Sequence, residues 1–554
     1  MNTSTSKTWS RFFNLLSLEK RDIFQIFNYA IFTGALALSL PLGIQAIVNL
    51  IQGAQISSSW IILVILVTLG VSFTGTLQLM QLRIIETLQQ RVFTRASFEL
   101  SYRFPKLKMN ALRNIYPPEL ANRFFDTLSI QKGFAKILID VPTALIQIVF
   151  ALILLSFYHP FFIFFGLGLI LLMIFLFQYT VNRGLNTSLE ESKHKYRVAH
   201  WIQEIARSIV SFKLSSTSDL SMKKTDQYVS KYLNAREAHF RVIKLQYIKL
   251  IGFKVAITSG LLIIGGILVL NQQMNIGQFV AAEIIILLVI ASVEKLIVNL
   301  ETLYDMLTSI EKLGQLVDLE IENQEGKMLN ENDPFILELK DIEYAVPDLE
   351  KPILSEINLK IRPKEKILVQ GGSGSGKSSL LRILSGIIEP TRGTVFVGQH
   401  NLKALQLQSY RSSLGLSLSD EVLFEGTIRE NITLDDENIT ETTIQHLMDV
   451  LHLDNFIKTL PLGLETIIHP EGKIISQSTS KKLILARAIL RKPQGLILED
   501  PLDVYTPDES KKIINYLCLD KHPWSMIVVS NNDFWEEKCD KIIQLNKGKI
   551  NVLK

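Results

Sequence analysis

Gly371-Gly372-Ser373-Gly374-Ser375-Gly376-Lys377-Ser378 decides how the C-terminal half of this chain folds. The spacing is that of a phosphate-binding loop, G-x-x-x-x-G-K-[ST]. Glycines let successive backbone N–H groups converge on phosphate oxygens without Cβ obstruction. The helix that follows aims its positive end at the same charge. Lys377 supplies a point charge for the β- and γ-phosphates, and the Ser378 hydroxyl suits Mg²⁺. The flanks agree, since Glu365–Gln370 reads as a strand and Ser379–Ser385 as a helix. A chance glycine turn lacks that context. The stretch Gly371–Ser379 is therefore expected to bind nucleotide within an α/β domain.

The sequence before this domain has a different character. Mean hydropathy is positive, and the long apolar runs crowd the first 300 of 554 residues. Six stretches approach the ~20 apolar residues needed to cross a bilayer. They lie at about Ile23–Ile51, Trp60–Leu82, Phe134–Tyr158, Phe161–Val181, Leu250–Leu270 and Phe279–Leu300. Short connections at Gln52–Ser59, Tyr158–Pro160 and Asn271–Gly277 contain no Lys or Arg. The opposite side carries Lys7, Arg11, Lys20, Arg21, a basic set from Arg91 to Arg123 and another from Arg183 to Lys249. The positive-inside rule then puts both termini in the cytosol. The two long inner connections, Arg83–Gly133 and Asn182–Lys249, are rich in helix formers, so the membrane helices are expected to continue far beyond the bilayer.

Trp9–Ile26 alternates apolar and basic residues and reads as an amphipathic helix on the inner membrane surface, or as a buried helix. Among ionisable residues in the spans, Asp140, Lys254, Glu294 and Lys295 lie near inner boundaries. Glu283 is deeper, a candidate for a transport pathway or for a helix–helix hydrogen bond. The formal net charge of +4 is too small to argue for nucleic acid. Cys518 and Cys539 lack metal-ligand spacing and fit a reduced compartment.

With these residues in view the chain resembles the ATP-binding-cassette (ABC) exporters over essentially its whole length. Tyr344 matches the aromatic residue that stacks on adenine in that family, although a strand tyrosine taken alone is more often packing. Leu423–Ile432 (LFEGTIRENI) is similar to the family's LFxGTIxxNI segment, Leu485–Ile489 to the helix after its signature, and Cys539–Ile543 to its last strand. Asn275–Gln278 looks like the start of the sixth helix in type I protein-secretion exporters. Other positions depart from the pattern. The family's glutamine before the LF segment is Ser419, and its LSGGQ signature is Ile475-Ser476-Gln477-Ser478-Thr479. Its aspartate–glutamate pair appears inverted as Glu499-Asp500, its switch histidine is Asn531, and a later aspartate is Thr506.

By this resemblance Ser378, Ser419 and Glu499 stand at the Mg²⁺ positions. Glu499, Asp500 and Asn531 form a degenerate catalytic set, and Ser476, Gln477 and Ser478 a degenerate signature. Asp500 is a methylene short of the attacking water, Asn531 cannot carry an imidazolium charge, and Gln477 and Ser478 put side chains where glycines let backbone approach phosphate.

The expected architecture is an α-helical membrane domain of six transmembrane helices followed by an α/β nucleotide-binding domain. The segments are an amphipathic 1–22, a membrane domain 23–318, a linker 319–334 and a nucleotide domain 335–554. The resemblance implies a half-transporter in a bacterial inner membrane. It binds ATP and Mg²⁺, hydrolyses slowly, and exports a peptide, protein or lipid as a dimer, preferably with a different half. The other reading is a membrane-bound, ATP-responsive scaffold or regulator.

Overall fold

The computed structural model describes residues 3–52, 58–113, 115–214, 218–329, 334–347, 349–469 and 475–554, without the side chains of 3–6 and 175–180. Ser57, Ser215, the middle of the expected linker (330–333) and the approach to the signature (470–474) lie outside the described residues. Two compact units form: Met1–Pro105 with Ile115–Leu319, and Lys106–Asn114 with Glu320–Lys554.

The first unit is all helix: α1 (Thr3–Leu18), α2 (Lys20–Ala37), α3 (Ser39–Gln52), α4 (Ser58–Arg103), α5 (Pro117–Asn122), α6 (Asp126–Tyr158), α7 (Phe161–Arg207), α8 (Ile209–Leu214), α9 (Leu220–Leu270) and α10 (Ile276–Val317). At ~1.5 Å per residue, α4, α7, α9 and α10 are about 60–75 Å long, twice a bilayer's ~30 Å hydrocarbon core. Much of the two long connections is thus helical extension of these rods, with the short helices α5 and α8 between them in the chain. Among the described residues five helical segments are long and apolar enough to cross a membrane, and α7 opens on a shorter apolar stretch, Phe161–Ile174. Half of the most apolar window of α10 is buried, against 11% for α4. Accordingly α10 packs Ile285, Val289 and Val293 onto Ala144, Ile148 and Ala151 of α6, while α4 exposes Ile61, Ile65 and Leu69.

Two details differ from the sequence reading. The first span is broken at Leu38, because Pro41 lacks an N–H and its ring clashes with the carbonyl four residues back, at Ala37, where α2 ends. Trp9–Ile26 is not one helix: Glu19 (φ −115°, ψ 29°) separates α1 from α2. There its carboxylate takes Arg91 at 3.1 Å and Arg95 at 2.9 Å. The α1 helix is fastened to α10, Arg11 pairing with Glu311 and, at 2.6 Å, with Asp318. Within the spans Lys254 and Glu294 pair at 2.7 Å, and Asp140 accepts from Asn299 at 3.0 Å. Glu283 has no hydrogen bond or ion pair among the described residues.

The second unit contains β1 (Leu337–Tyr344), β2 (Leu354–Ile361), β3 (Lys366–Gln370), α11 (Lys377–Leu384), β4 (Arg392–Val397), β5 (His400–Asn401), α12 (Leu407–Ser412), β6 (Leu414–Ser417), β7 (Gly426–Thr427), α13 (Ile428–Thr433), α14 (Glu441–Val450), α15 (Asp454–Thr459), β8 (Ile467–Ile468), α16 (Gln477–Leu490), β9 (Gly495–Glu499), α17 (Pro507–Leu517), β10 (Ser525–Val529), α18 (Phe534–Lys538), β11 (Lys541–Asn546) and β12 (Lys549–Val552). The central sheet runs β12-β11-β3-β10-β9-β6, parallel except for β12. Its middle strands (KILVQ, SMIVV, GLILE) are near-continuous apolar runs, as strands covered on both faces require. An antiparallel sheet, β2-β1-β4-β5, alternates instead; in β2, Leu354, Ile357, Leu359 and Ile361 are buried. The residues after α10 are built into this unit. Leu107 bridges Ile321, and Arg411 makes two 2.7 Å bonds to Glu322.

Candidate nucleotide-binding site

The glycine-rich turn lies between β3 and α11, at the carboxyl ends of the parallel strands. Gly371 cannot be replaced without a collision, for a Cβ there would lie 2.4 Å from the Leu545 carbonyl oxygen. Gly376 caps α11 at φ +105°, and a Cβ would come within 2.8 Å of Leu354. The loop therefore presents bare backbone by necessity. Lys377 folds back over it, donating to the carbonyls of Gly371 (2.7 Å) and Gly372 (2.9 Å). The Ser375 hydroxyl is buried with no hydrogen-bond partner among the described residues, whereas Ser373 and Gly374 are exposed. Helix α11 begins at Lys377, two residues earlier than its sequence suggests, so Ser378 and Ser379 fall in its first turn.

Tyr344 ends β1 half-buried, in register with Leu354 on β2. Leu354 is the residue that a Cβ on Gly376 would meet, so the strand pair carries the tyrosine to the flank of the loop.

On the other side of the loop, β9 delivers Glu499. Its carboxylate accepts from the Ser378 hydroxyl through Oε1 and from the Ser419 backbone N–H at 3.0 Å through Oε2. Burial pushes this carboxyl up, but the hydrogen bonds from Ser378 and Ser419 outweigh it and hold it below the usual range. Three residues read separately from the sequence thus meet at one point. A hydroxyl beside a carboxylate is a hard oxygen pair that fits Mg²⁺, an ion that takes few protein ligands and shares itself with phosphates. When bound, the ion neutralises phosphate charge. Ser419 meets Glu499 through both its N–H and its side chain, which brings its hydroxyl to the same cluster.

Asp500 follows in the left-handed region at φ +42°, its N–H donating to Val529 at 2.8 Å. Partial burial and the carboxylates of Asp503 and Glu499 hold it above the usual range. Parallel pairing sets Val529 beside Glu499, so Asn531, two residues further on, is exposed at the same end of the sheet. Ser476, Gln477 and Ser478 are not drawn into this cluster. Ser476 caps α16 through the Thr479 N–H at 3.1 Å and meets the Ser478 hydroxyl at 2.8 Å.

Sequence reasoning missed Glu421. It lies two residues after Ser419, its carboxyl driven up to about 7 by burial, and it accepts from the Leu418 N–H at 3.2 Å. Arg487 stands 3.7 Å away and donates to the Asn431 carbonyl at 2.7 Å. A lone glutamate in a loop gives no sequence signal of burial. Thr506 was more legible, since Thr506-Pro507-Asp508-Glu509 is a capping box, and Thr506 with Glu509 caps α17.

Residues 354–503 match the family model of the ABC transporter domain. Among curated proteins, the chain is 28% identical over 327 residues to an exotoxin translocation ATP-binding protein of Pasteurella aerogenes, covering 59% of this chain and 46% of that one. It is 26% identical to a colicin V secretion/processing ATP-binding protein of Escherichia coli (51% and 40%) and 25% identical to a leukotoxin translocation ATP-binding protein of Mannheimia haemolytica (62% and 49%). The chain thus spans about half the length of the curated relatives it matches. A bacterial Atm1-family ABC exporter with ATP bound superposes with a TM-score of 0.83 at 16% identity, over 97% of this chain and 95% of that one.

Proposed function

We propose that this chain, a member of the ABC transporter family with the exporter fold, is one half of a dimeric export machine driven mainly by ATP binding. The observation that carries the reading is the convergence of Ser378 and Ser419 on Glu499 beneath the glycine loop. That arrangement suits a nucleotide held with Mg²⁺. The hydrolytic complement is weaker. Asp500 is short for a general base, and general-base help depends on hydrogen-bond reach. Asn531 offers a hydrogen bond without charge, and Gln477 and Ser478 carry side chains at the start of α16. Slow turnover follows from these four positions together.

The second half supplies the facing signature, and a different, more complete chain suits this better than a second copy. The positive-inside pattern places both termini in the cytosol, in a bacterial inner membrane. The turns around α5 and α8, where the long rods double back, are our candidates for passing closure of the nucleotide domains to the membrane helices. Relatives named for translocating toxins and a colicin favour a peptide or protein as cargo, with lipid a less supported choice.

The test uses purified full chain. Wild type retains ATP and hydrolyses it near background. Asp500→Glu with Asn531→His raises the rate modestly, and adding Gln477→Gly and Ser478→Gly raises it much more. A robust wild-type rate abolished by Lys377→Ala would overturn the proposal of slow turnover. Mass spectrometry of copurifying chains identifies the partner half.

A further inference from the structure

The second unit has another cavity, of about 410 Å³, remote in sequence from the phosphate loop. It opens between α14, the end of α16, the end of α17 and the start of β10. Its wall is aromatic. His446 and Tyr516 meet edge to face with centroids 5.9 Å apart, Tyr516 and His522 at 4.9 Å, and His522 stacks on buried Trp524 at 4.0 Å and 10°. This stack is fixed from behind. The Trp524 indole N–H donates to the Leu517 carbonyl at 3.0 Å, and His522 Nε2 lies 3.0 Å from the Tyr516 carbonyl. A carbonyl only accepts, so Nε2 carries the proton and Nδ1 is left as the acceptor.

The rim is cationic. Lys492 and Lys521 both line the cavity and both are exposed, and among the described residues no Asp or Glu lines it. Neither lysine pairs with a carboxylate among the described residues; Lys521 lies 5.8 Å above the Tyr516 ring instead. Elsewhere in this unit exposed lysines do find an acid, as Lys549 does with Glu356 at 2.8 Å and Lys458 with Asp454. Two uncompensated ammonium groups at the mouth of a concave, partly desolvated site concentrate positive potential there. Rigid rings beneath them offer flat surface for another ring at little entropic cost.

We propose that this cavity binds a small organic anion carrying a flat ring. The lysines hold the charged group, and the ring lies against Tyr516 and His522. Ile489 and Leu490, the last residues of α16, contribute to the lining. An occupant therefore presses on one end of the helix whose other end, about 20 Å away at ~1.5 Å per residue, is the signature segment.

The experiment is equilibrium dialysis of the full chain in nanodiscs against 1-naphthyl phosphate, with 1-naphthol and inorganic phosphate as the neutral and ringless counterparts. Wild type is expected to bind the naphthyl phosphate at least about tenfold more tightly than either counterpart. It should also bind it about tenfold more tightly than the Lys492→Gln/Lys521→Gln double variant, two charge contacts to one anion being removed. Tyr516→Phe keeps the ring and should bind as wild type, whereas Tyr516→Leu should bind several-fold more weakly. Equal binding by wild type and the double lysine variant overturns the proposal. So does naphthol matching naphthyl phosphate, which means a greasy cleft, or inorganic phosphate matching it, which means a bare anion patch. ATP retention is not the readout, so failure here is separate from failure of the export reading.

Discussion

Replacing Glu421 by Gln should change how the nucleotide unit's stability depends on pH, with a size that follows from its position. The carboxyl is inside the loop between β6 and β7, its side chain 25% exposed, with Arg487 too far at 3.7 Å to compensate burial fully. Its folded value is about 7, against 4.5 for the free side chain. A carboxyl raised on folding binds its proton more tightly in the native state. Its stabilising contribution is complete below about pH 4.5 and is lost as pH rises through about 7. At ~1.4 kcal/mol per unit, a shift of about two and a half units corresponds to roughly 3 kcal/mol, good to about half its size. Glutamine keeps an oxygen for the Leu418 N–H and has no proton to lose. Pulse proteolysis of the second unit in the full chain, in urea at pH 5 and pH 8, reads the difference. Wild type should lose about 2–4 kcal/mol more than Glu421→Gln over that interval, all other titrating groups cancelling between the two. Parallel pH profiles for the two proteins would refute the argument.

Other predictions concern the loop and the topology. Lys377→Ala should remove most ATP retention, and Tyr344→Ala should weaken it by about 1 kcal/mol, the scale of one aromatic contact; equal retention by wild type and Lys377→Ala would refute the site. Gly376→Ala should abolish ATP retention while leaving expression intact, because φ +105° and a Cβ 2.8 Å from Leu354 both oppose it; filter binding reads the outcome. In a background lacking Cys518 and Cys539, Asn271→Cys should react with an impermeant maleimide in intact cells and Ser97→Cys should not. Labelling at Ser97 would reverse the orientation.

Much of this architecture was legible because it rests on local chemistry. Phe161–Ile174 could hardly be anything but an apolar helix, and Gly371–Ser378 announces its strand and helix by glycine spacing alone. Legibility failed where a distant residue decides the outcome. The helix break at Glu19 depends on Arg91 and Arg95, more than seventy positions away, and nothing in Leu18-Glu19-Lys20 advertises it. The break at Leu38 was available in principle, since Pro41 states it. The burial of Glu421 was not, because it follows from the packing of α16 against α13 and of both against the loop. The cationic mouth of the second cavity belongs to the same class: Lys492 and Lys521 are ordinary surface lysines until the fold brings them to one concavity.

The inverted pair Glu499-Asp500 is better understood as one change than as two. Moving the longer side chain to the first position lets a single carboxylate span from the Ser378 hydroxyl to the Ser419 N–H. An aspartate on the same backbone is a methylene shorter and would have to give up one of those bonds. Ser419 stands where the resembling family has glutamine, and its shorter side chain and its backbone N–H are both met by Glu499. The cost falls on the second position. Asp500 turns into the left-handed region, which a non-glycine residue enters at about 1 kcal/mol or more. Its carboxyl is held above the usual range by burial and by the carboxylates of Asp503 and Glu499. The side chain is also a methylene shorter than glutamate, and reach is what general-base help depends on. On the proposed reading, binding is favoured at the first residue of the pair and turnover is limited at the second, and restoring Glu at 500 sets a second long carboxylate next to Glu499. Gln477 and Ser478 would still carry side chains at the start of α16, so the rate should recover only modestly until they are changed as well.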